Sequence, residues 1–419
     1  MMLRAWAEQL VQASSAPEVI DIHVKDTMAA FVAGLSTRDG RAVAQLYRRR
    51  NEPCETAPAT AAIARLSECD DIHLASCVTP GAIVIPVALS FGGEIEHFER
   101  AVSAGFAAGL TLGLAIGGTK ALSAGVWPTL LAAPVMAAVT ASVIGGQDAE
   151  QLAHAIALAL AGANGRVGRP APTPSGRWFG VAEAVSKGIR ASEAAGAGFH
   201  SDLALISESW LTAQAGHDDI DVSAFESDPM PLLSDVGFKP YPVARQAFNA
   251  VVAFQRILAT GIDANRIDAV EVFVPTTNAV LLSRPFQEDE RLSRLSNMGY
   301  QLGCAALAPE RLYNAERAGA PNPKLLEFAK RVSVTYAPDL DAHLPGRWAG
   351  RVVVNAGSDR VEQTLIAAPF DHDAPQLAAL LLEKWARLAP ELGLQRTGKR
   401  EYAMLWQRIE RLLAAAAER

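Results

Sequence analysis

Six consecutive residues, Glu68-Cys69-Asp70-Asp71-Ile72-His73, hold three carboxylates and an imidazole. Acids and bases at this density can carry a proton to or from a bound molecule. Glu68 and Asp71 are candidate proton carriers, and so is His73, whose ordinary pKa suits proton transfer near neutrality. The same stretch has a plainer use: Asp70 and Asp71 can cap helix ends, with Thr79 as N-cap and Pro80 at the first helical position of the apolar run 82–91. Cys69, His73 and Cys77 recur every fourth position, so on one helical face they would point toward a metal; no fourth ligand is evident, and no metal site is expected. Far along the chain, Arg177 falls in the first turn of a predicted helix, where a guanidinium can clamp a substrate carboxylate through paired hydrogen bonds. Lys239, Tyr241 and Arg245 add two cations and a phenol, and Tyr300 adds a proton donor.

These residues need a large scaffold, and the chain supplies one. It has 419 residues, half of them hydrophobic, enough for two domains with sizeable cores. The net charge of −7 gives no basic face for a nucleic-acid partner. Four cysteines (Cys54, Cys69, Cys77, Cys304) without paired spacing fit a reducing compartment. The first residues carry charges and lack a long apolar core, unlike a signal peptide. The uncharged stretch 121–147 is long enough to span a bilayer, but Pro128 and Pro134 interrupt it and small residues dominate. It reads as helices buried inside a cytoplasmic protein with no membrane partner.

Residues up to about 235 read as almost entirely helical. In 148–161, Asp148 can cap, and Leu152, Ile156 and Leu160 repeat at helical spacing. A helix over 175–197 would set Phe179, Ala182, Val185 and Ile189 along one side, and the Pro/Gly-rich loop 165–176 before it could border a site. After a helix carrying Ala247, Val251, Phe254 and Leu258, the pattern changes. Val270, Val272 and Val274 alternate as a strand does, with further strands predicted over 332–336, 352–355 and 361–366 and a hairpin turn at Asn355-Ala356-Gly357-Ser358. Helices over 289–307 and 323–331 lie between them, and amphipathic helix returns from 373. The organisation is a helical domain, 1–238 with 372–419, carrying an inserted α+β domain, 239–371. No nucleotide-binding loop is present in the required strand context.

Assembled, these pieces resemble the MmgE/PrpD family, which includes 2-methylcitrate dehydratase, cis-aconitate decarboxylase and iminodisuccinate epimerase. The resemblance covers most of the chain. It rests on Asp70-Asp71 followed by Pro80-Gly81 and Pro86, on the Ala/Gly-rich helices around Gly145-Gly146 and 155–165, on Lys239-Pro240-Tyr241-Pro242 with Arg245, and on Met298-Gly299-Tyr300-Gln301. It implies a helical domain with an α+β lid, a homodimer without a cofactor, and a lyase or isomerase acting on a small carboxylate-bearing substrate. Glu68, Asp71, His73 and Tyr300 would then be catalytic, and Asp70, Thr79, Arg177, Lys239, Tyr241 and Arg245 would bind substrate. Three positions depart from the family pattern. Thr79 stands where a histidine precedes the proline, Arg177 and Gly180 replace a Lys-x-x-His pair, and Phe248 replaces a later histidine. Arginine is a poor proton carrier, so Arg177 would bind or stabilise charge. The departures favour epimerase or isomerase chemistry over dehydration, and they open one alternative: a non-catalytic acid-binding or scaffold protein on the same fold.

Overall fold

The computed structural model describes residues 2–14, 16–48, 56–166, 175–288, 290–317, 322–371 and 376–418. Cys54, most of the Pro/Gly-rich loop and the boundary expected at 372 lie outside them. The chain divides into two compact units, Met1–Phe238 with Leu381–Arg419, and Lys239–Leu380. The protein is mainly helical, with α+β structure in its C-terminal part.

In the first unit the uncharged stretch becomes the helix Pro128–Ile144, buried on all sides, packed by the helices Ile95–Ala115 and Gly176–Gly196. A sequence with no polar stripe has no face to offer solvent, so it takes the centre. Small residues let the backbones approach: a Cβ at Gly188 would lie 2.2 Å from the Pro134 carbonyl oxygen. Among the described residues, no helix is long and apolar enough to cross a membrane. The helix Ala149–Leu160 begins at the expected cap, where Asp148 accepts from the Gln151 amide while the Gln151 side chain answers the Asp148 amide. Along Gly176–Gly196, Ala182, Val185 and Ile189 are buried as expected, and the stripe departs from the expectation only at its start. Trp178 and Val181 are buried and Phe179 is 47% exposed, because the larger indole takes the inward position.

The region before 235 is not wholly helical. Ile72–His73 (β1) pairs antiparallel with Val236–Gly237 (β2), and His73 also bridges Val78. Cys69, His73 and Cys77 therefore share no helical face, and the metal geometry of that spacing fails. Among the described residues no three His, Cys, Asp or Glu side chains gather as a metal set. The next helix is Gly81–Phe91, one residue later than expected, with Pro80 in the cap position.

The second unit holds a four-stranded sheet in the order β4-β3-β5-β6, formed by Ala269–Val274 (β3), Val332–Tyr336 (β4), Gly350–Ala356 (β5) and Asp359–Leu365 (β6). β3 runs parallel to β4 and antiparallel to β5, while β5 and β6 form the expected hairpin. Val270, Val272 and Val274 are the buried face of β3. The helix Arg245–Ala259 covers β5 and β6 so closely that a Cβ at Gly350 would meet the Ala250 nitrogen at 2.7 Å. The helix expected over 289–307 is two helices, Arg291–Ser296 and Met298–Leu307. Asn297 turns out of helical geometry (ψ 115°) and its side chain caps the second by accepting from the Tyr300 amide at 2.8 Å.

Candidate functional site

The acid-rich loop sits in the interior of the first unit. Asp71 is 1% exposed and accepts from the Gly81 amide through both carboxylate oxygens, at 3.0 and 3.1 Å. It thereby satisfies an amide that no helical carbonyl reaches. His23, from the helix Pro17–Leu35, places Nδ1 2.8 Å from Asp71 Oδ2, a contact without hydrogen-bond geometry. A Cβ at Gly81 would lie 2.4 Å from Asp71 Oδ2 and 2.7 Å from Thr27 Oγ1. Gly81→Ala is accordingly expected to destabilise the protein by about 1–3 kcal/mol in denaturant melts; an unchanged midpoint would show that the Asp71–Gly81 tie is loose.

Arg65 gathers the other two acids, with Nη1 3.2 Å from Glu68 Oε2 and 3.3 Å from Asp70 Oδ1. Burial opposes the Arg65 charge, but Asp70 and Glu68 outweigh it and hold its pKa above the ordinary value. Glu68 itself adopts φ 59°, a left-handed conformation unusual for a side chain of its size. Beneath the loop lies a second buried pair. Lys384, from the helix Leu377–Leu388, donates to Asp26 Oδ1 and to the Cys69 carbonyl, each at 2.6 Å. Trp385 Nε1 adds a 3.3 Å bond to the same Asp26 oxygen. Burial raises the Asp26 pKa despite the lysine.

His73 is fixed by its own turn. The Ser76 amide donates to Nδ1 at 3.2 Å, and Ser76 Oγ lies 2.8 Å from the same nitrogen. A backbone N–H can only donate, so Nδ1 is the acceptor and the neutral ring carries its proton on Nε2. Burial pushes the His73 pKa down to about 4, with Asp235 pulling weakly the other way. At neutral pH the ring is an uncharged hydrogen-bond donor at Nε2. Thr79 is buried, its amide donating to Thr129 Oγ1 at 3.1 Å and its hydroxyl 3.3 Å from that oxygen.

Arg177 meets the acid loop through an indole. Its guanidinium lies 4.3 Å from the Trp127 ring centre, and the Arg65 guanidinium lies 5.0 Å from the same ring. Trp127 thus connects Arg177 to the cation that holds Glu68 and Asp70. Arg177 also lines a cavity of about 390 Å³ between the helices Pro128–Ile144 and Gly176–Gly196.

Lys239, Tyr241, Arg245 and Tyr300 belong to the second unit. Lys239 is buried. Arg245 is spent inside its unit, donating to Asp371 Oδ1 and Asn249 Oδ1, each at 3.0 Å, which makes it a structural tie rather than a clamp. Phe248 packs in the same core, its ring 5.0 Å from the Arg245 guanidinium. The buried Tyr241 hydroxyl has no hydrogen-bond partner among the described residues, and burial raises its pKa. Tyr300 stacks on Phe286 at 5.0 Å, and its pKa is raised, chiefly by burial. Arg317 holds this neighbourhood together by donating to the carbonyls of Pro242 (2.6 Å), Leu312 (2.5 Å) and Asn314 (2.9 Å).

Sequence reasoning missed His23, Asp26, Arg65, Trp127, Arg317 and Lys384. One signal was available: His23 and Asp26 interrupt the buried side of a helix that also carries Ile20, Val24 and Met28.

Comparison with known proteins fits this arrangement. Residues 19–222 match the MmgE/PrpD N-terminal domain, and residues 241–407 match the MmgE/PrpD C-terminal domain. No curated protein matches the chain significantly.

Proposed function

The chain belongs to the MmgE/PrpD family, and from that premise we propose a lyase or isomerase that removes a proton from the carbon beside a carboxylate of a small acid. The observation that carries this is the shared indole. A cation able to grip a carboxylate, Arg177, and the cation holding Glu68 and Asp70 rest on one ring, Trp127. Arg177 binds the substrate carboxylate. Glu68, 3.2 Å from the Arg65 guanidinium, takes the proton from the adjacent carbon, and the C–H electron pair moves into the carboxylate as an enolate. His73 donates a hydrogen bond from Nε2 to the developing oxyanion, the role a neutral imidazole with a fixed tautomer suits. Returning the proton to the opposite face gives epimerisation; expelling a β-substituent gives elimination. Asp71, occupied by Gly81, positions the loop, and Asp70 and Thr79 shape its surroundings. Tyr300, Tyr241 and Lys239 are proposed contributors as donors and substrate ligands. As the family resemblance implies, the enzyme acts as a cofactor-independent homodimer, and the sequence composition adds the expectation of a cytoplasmic protein.

The test is deuterium uptake at the α-carbon across a panel of hydroxy, amino and unsaturated acids in heavy water. Arg177→Ala is expected to weaken binding of the responding acid by about 2 kcal/mol or more. Glu68→Gln should instead lower turnover with binding largely intact. Unchanged binding in Arg177→Ala removes the clamp. The second reading, acid binding without turnover, draws on Thr79 and Phe248, which are buried packing groups where the family carries histidines. Binding with no exchange for any acid would favour it.

A further inference from the structure

The cavity beside Arg177 follows one stripe of the helix Gly176–Gly196. Along it stand Gly176, Arg177, Gly180, Glu183, Ala184 and Lys187, opposite Leu130 and Pro134 and the turn from Gly162 to Arg166. Glycine creates the space. Among the described residues, a Cβ at Gly176 would meet nothing within 4 Å, and one at Gly180 would meet Leu130 Cδ1 alone, at 3.9 Å. Lys187 closes the far end, its ammonium lying where a Cβ of Gly162 would stand. Among the described residues Lys187 has no carboxylate partner.

The charges along this stripe are ordered. Arg177 and Lys187 are ten residues apart, about 15 Å along a helix. Between them lies Glu183, which accepts from the Tyr47 hydroxyl at 2.8 Å. A negative group midway repels a carboxylate placed there, while the cations favour one at each end. Leu130, Pro134 and Ala184 give the middle an apolar wall.

We infer that this cavity binds an extended α,ω-dicarboxylate, with one carboxylate on Arg177, the other on Lys187 and an uncharged chain past Glu183. This rests on the proposal that Arg177 grips a substrate carboxylate, and it makes Lys187 a specificity-determining residue. A compact tricarboxylate would set its central acid against Glu183, and a short diacid would not reach both cations.

Isothermal titration calorimetry of the full chain with succinate, pimelate, azelate, tricarballylate and octanoate tests this. One of the two longer diacids is expected to bind at least tenfold more tightly than succinate, tricarballylate and octanoate. Lys187→Met should remove that preference and leave octanoate binding unchanged. Gly180→Leu, which fills the middle of the cavity and leaves both cations in the chain, should weaken the long diacids at least tenfold. Equal binding of succinate or tricarballylate, no binding of any diacid, or an unchanged preference in both variants overturns the inference. Deuterium exchange separates the two proposals. Lys187-dependent binding without α-exchange keeps this site and removes the chemistry; α-exchange on short acids without length preference does the reverse.

Discussion

Lys384→Ala is expected to destabilise the first unit by about 3–5 kcal/mol, the usual cost of stranding one member of a buried ion pair. Lys384 and Asp26 are each 1% exposed, and among the described residues Asp26 Oδ2 has no hydrogen bond to fall back on. Removing the ammonium leaves a carboxylate whose remaining donor is Trp385, and deprives the Cys69 carbonyl of its lysine as well. The carboxyl would then take up a proton, which burial already favours. Urea unfolding followed by far-ultraviolet circular dichroism should show a lower midpoint with little change in slope. The double variant Lys384→Met with Asp26→Leu should recover much of the loss, because two apolar side chains of similar volume need no partner. A loss under about 1 kcal/mol in the single variant would mean that water reaches the pair.

Acid should destabilise the protein before its carboxylates titrate, and His73 is the reason. In the unfolded chain this imidazole protonates near its ordinary value of 6.5, whereas burial in the fold pushes it down to about 4. Folding therefore keeps the ring neutral, and the unfolded state binds the extra proton throughout that window. Its contribution is fully present above pH 6.5 and is lost progressively as pH falls toward 4, by up to about 3 kcal/mol. His73→Gln should flatten the stability profile between pH 6.5 and 4.5, where few carboxylates change charge. Nuclear magnetic resonance of the ring should show it neutral at pH 5.5, with the proton on Nε2. A ring that titrates near 6.5 would refute both the burial and the donor role given to it.

The strands were legible because they follow the simplest rule. Val270, Val272 and Val274 alternate and are buried on one face of a four-stranded sheet. β1 was not legible, since two residues cannot display a period. The helix expected over 289–307 was read through Asn297 because apolar residues continue on both sides, and a side-chain cap interrupts the backbone without interrupting the pattern. The acid loop announced itself by composition. What each acid does was hidden, because composition does not say which neighbour takes it: Glu68 and Asp70 go to Arg65 and Asp71 to the Gly81 amide, while Asp26 below them waits on a lysine 358 positions away. Arg177 and Trp127 lie fifty residues apart by numbering, and only tertiary packing puts one over the other.

Asp71 and Gly81 stand ten positions apart, and their bond closes the chain between them into a side-chain-to-backbone ring. Within it the His73 amide donates to the Val78 carbonyl at 2.9 Å. Both amides point inward, so solvent deuterium reaches them only when the ring opens. Opening would expose Asp71 together with the helix start it caps. The loop should therefore exchange on the timescale of unfolding of its unit rather than of local fraying. Connecting segments ordinarily lie at the fast end of an exchange profile; this one belongs at the slow end, with the helices it joins.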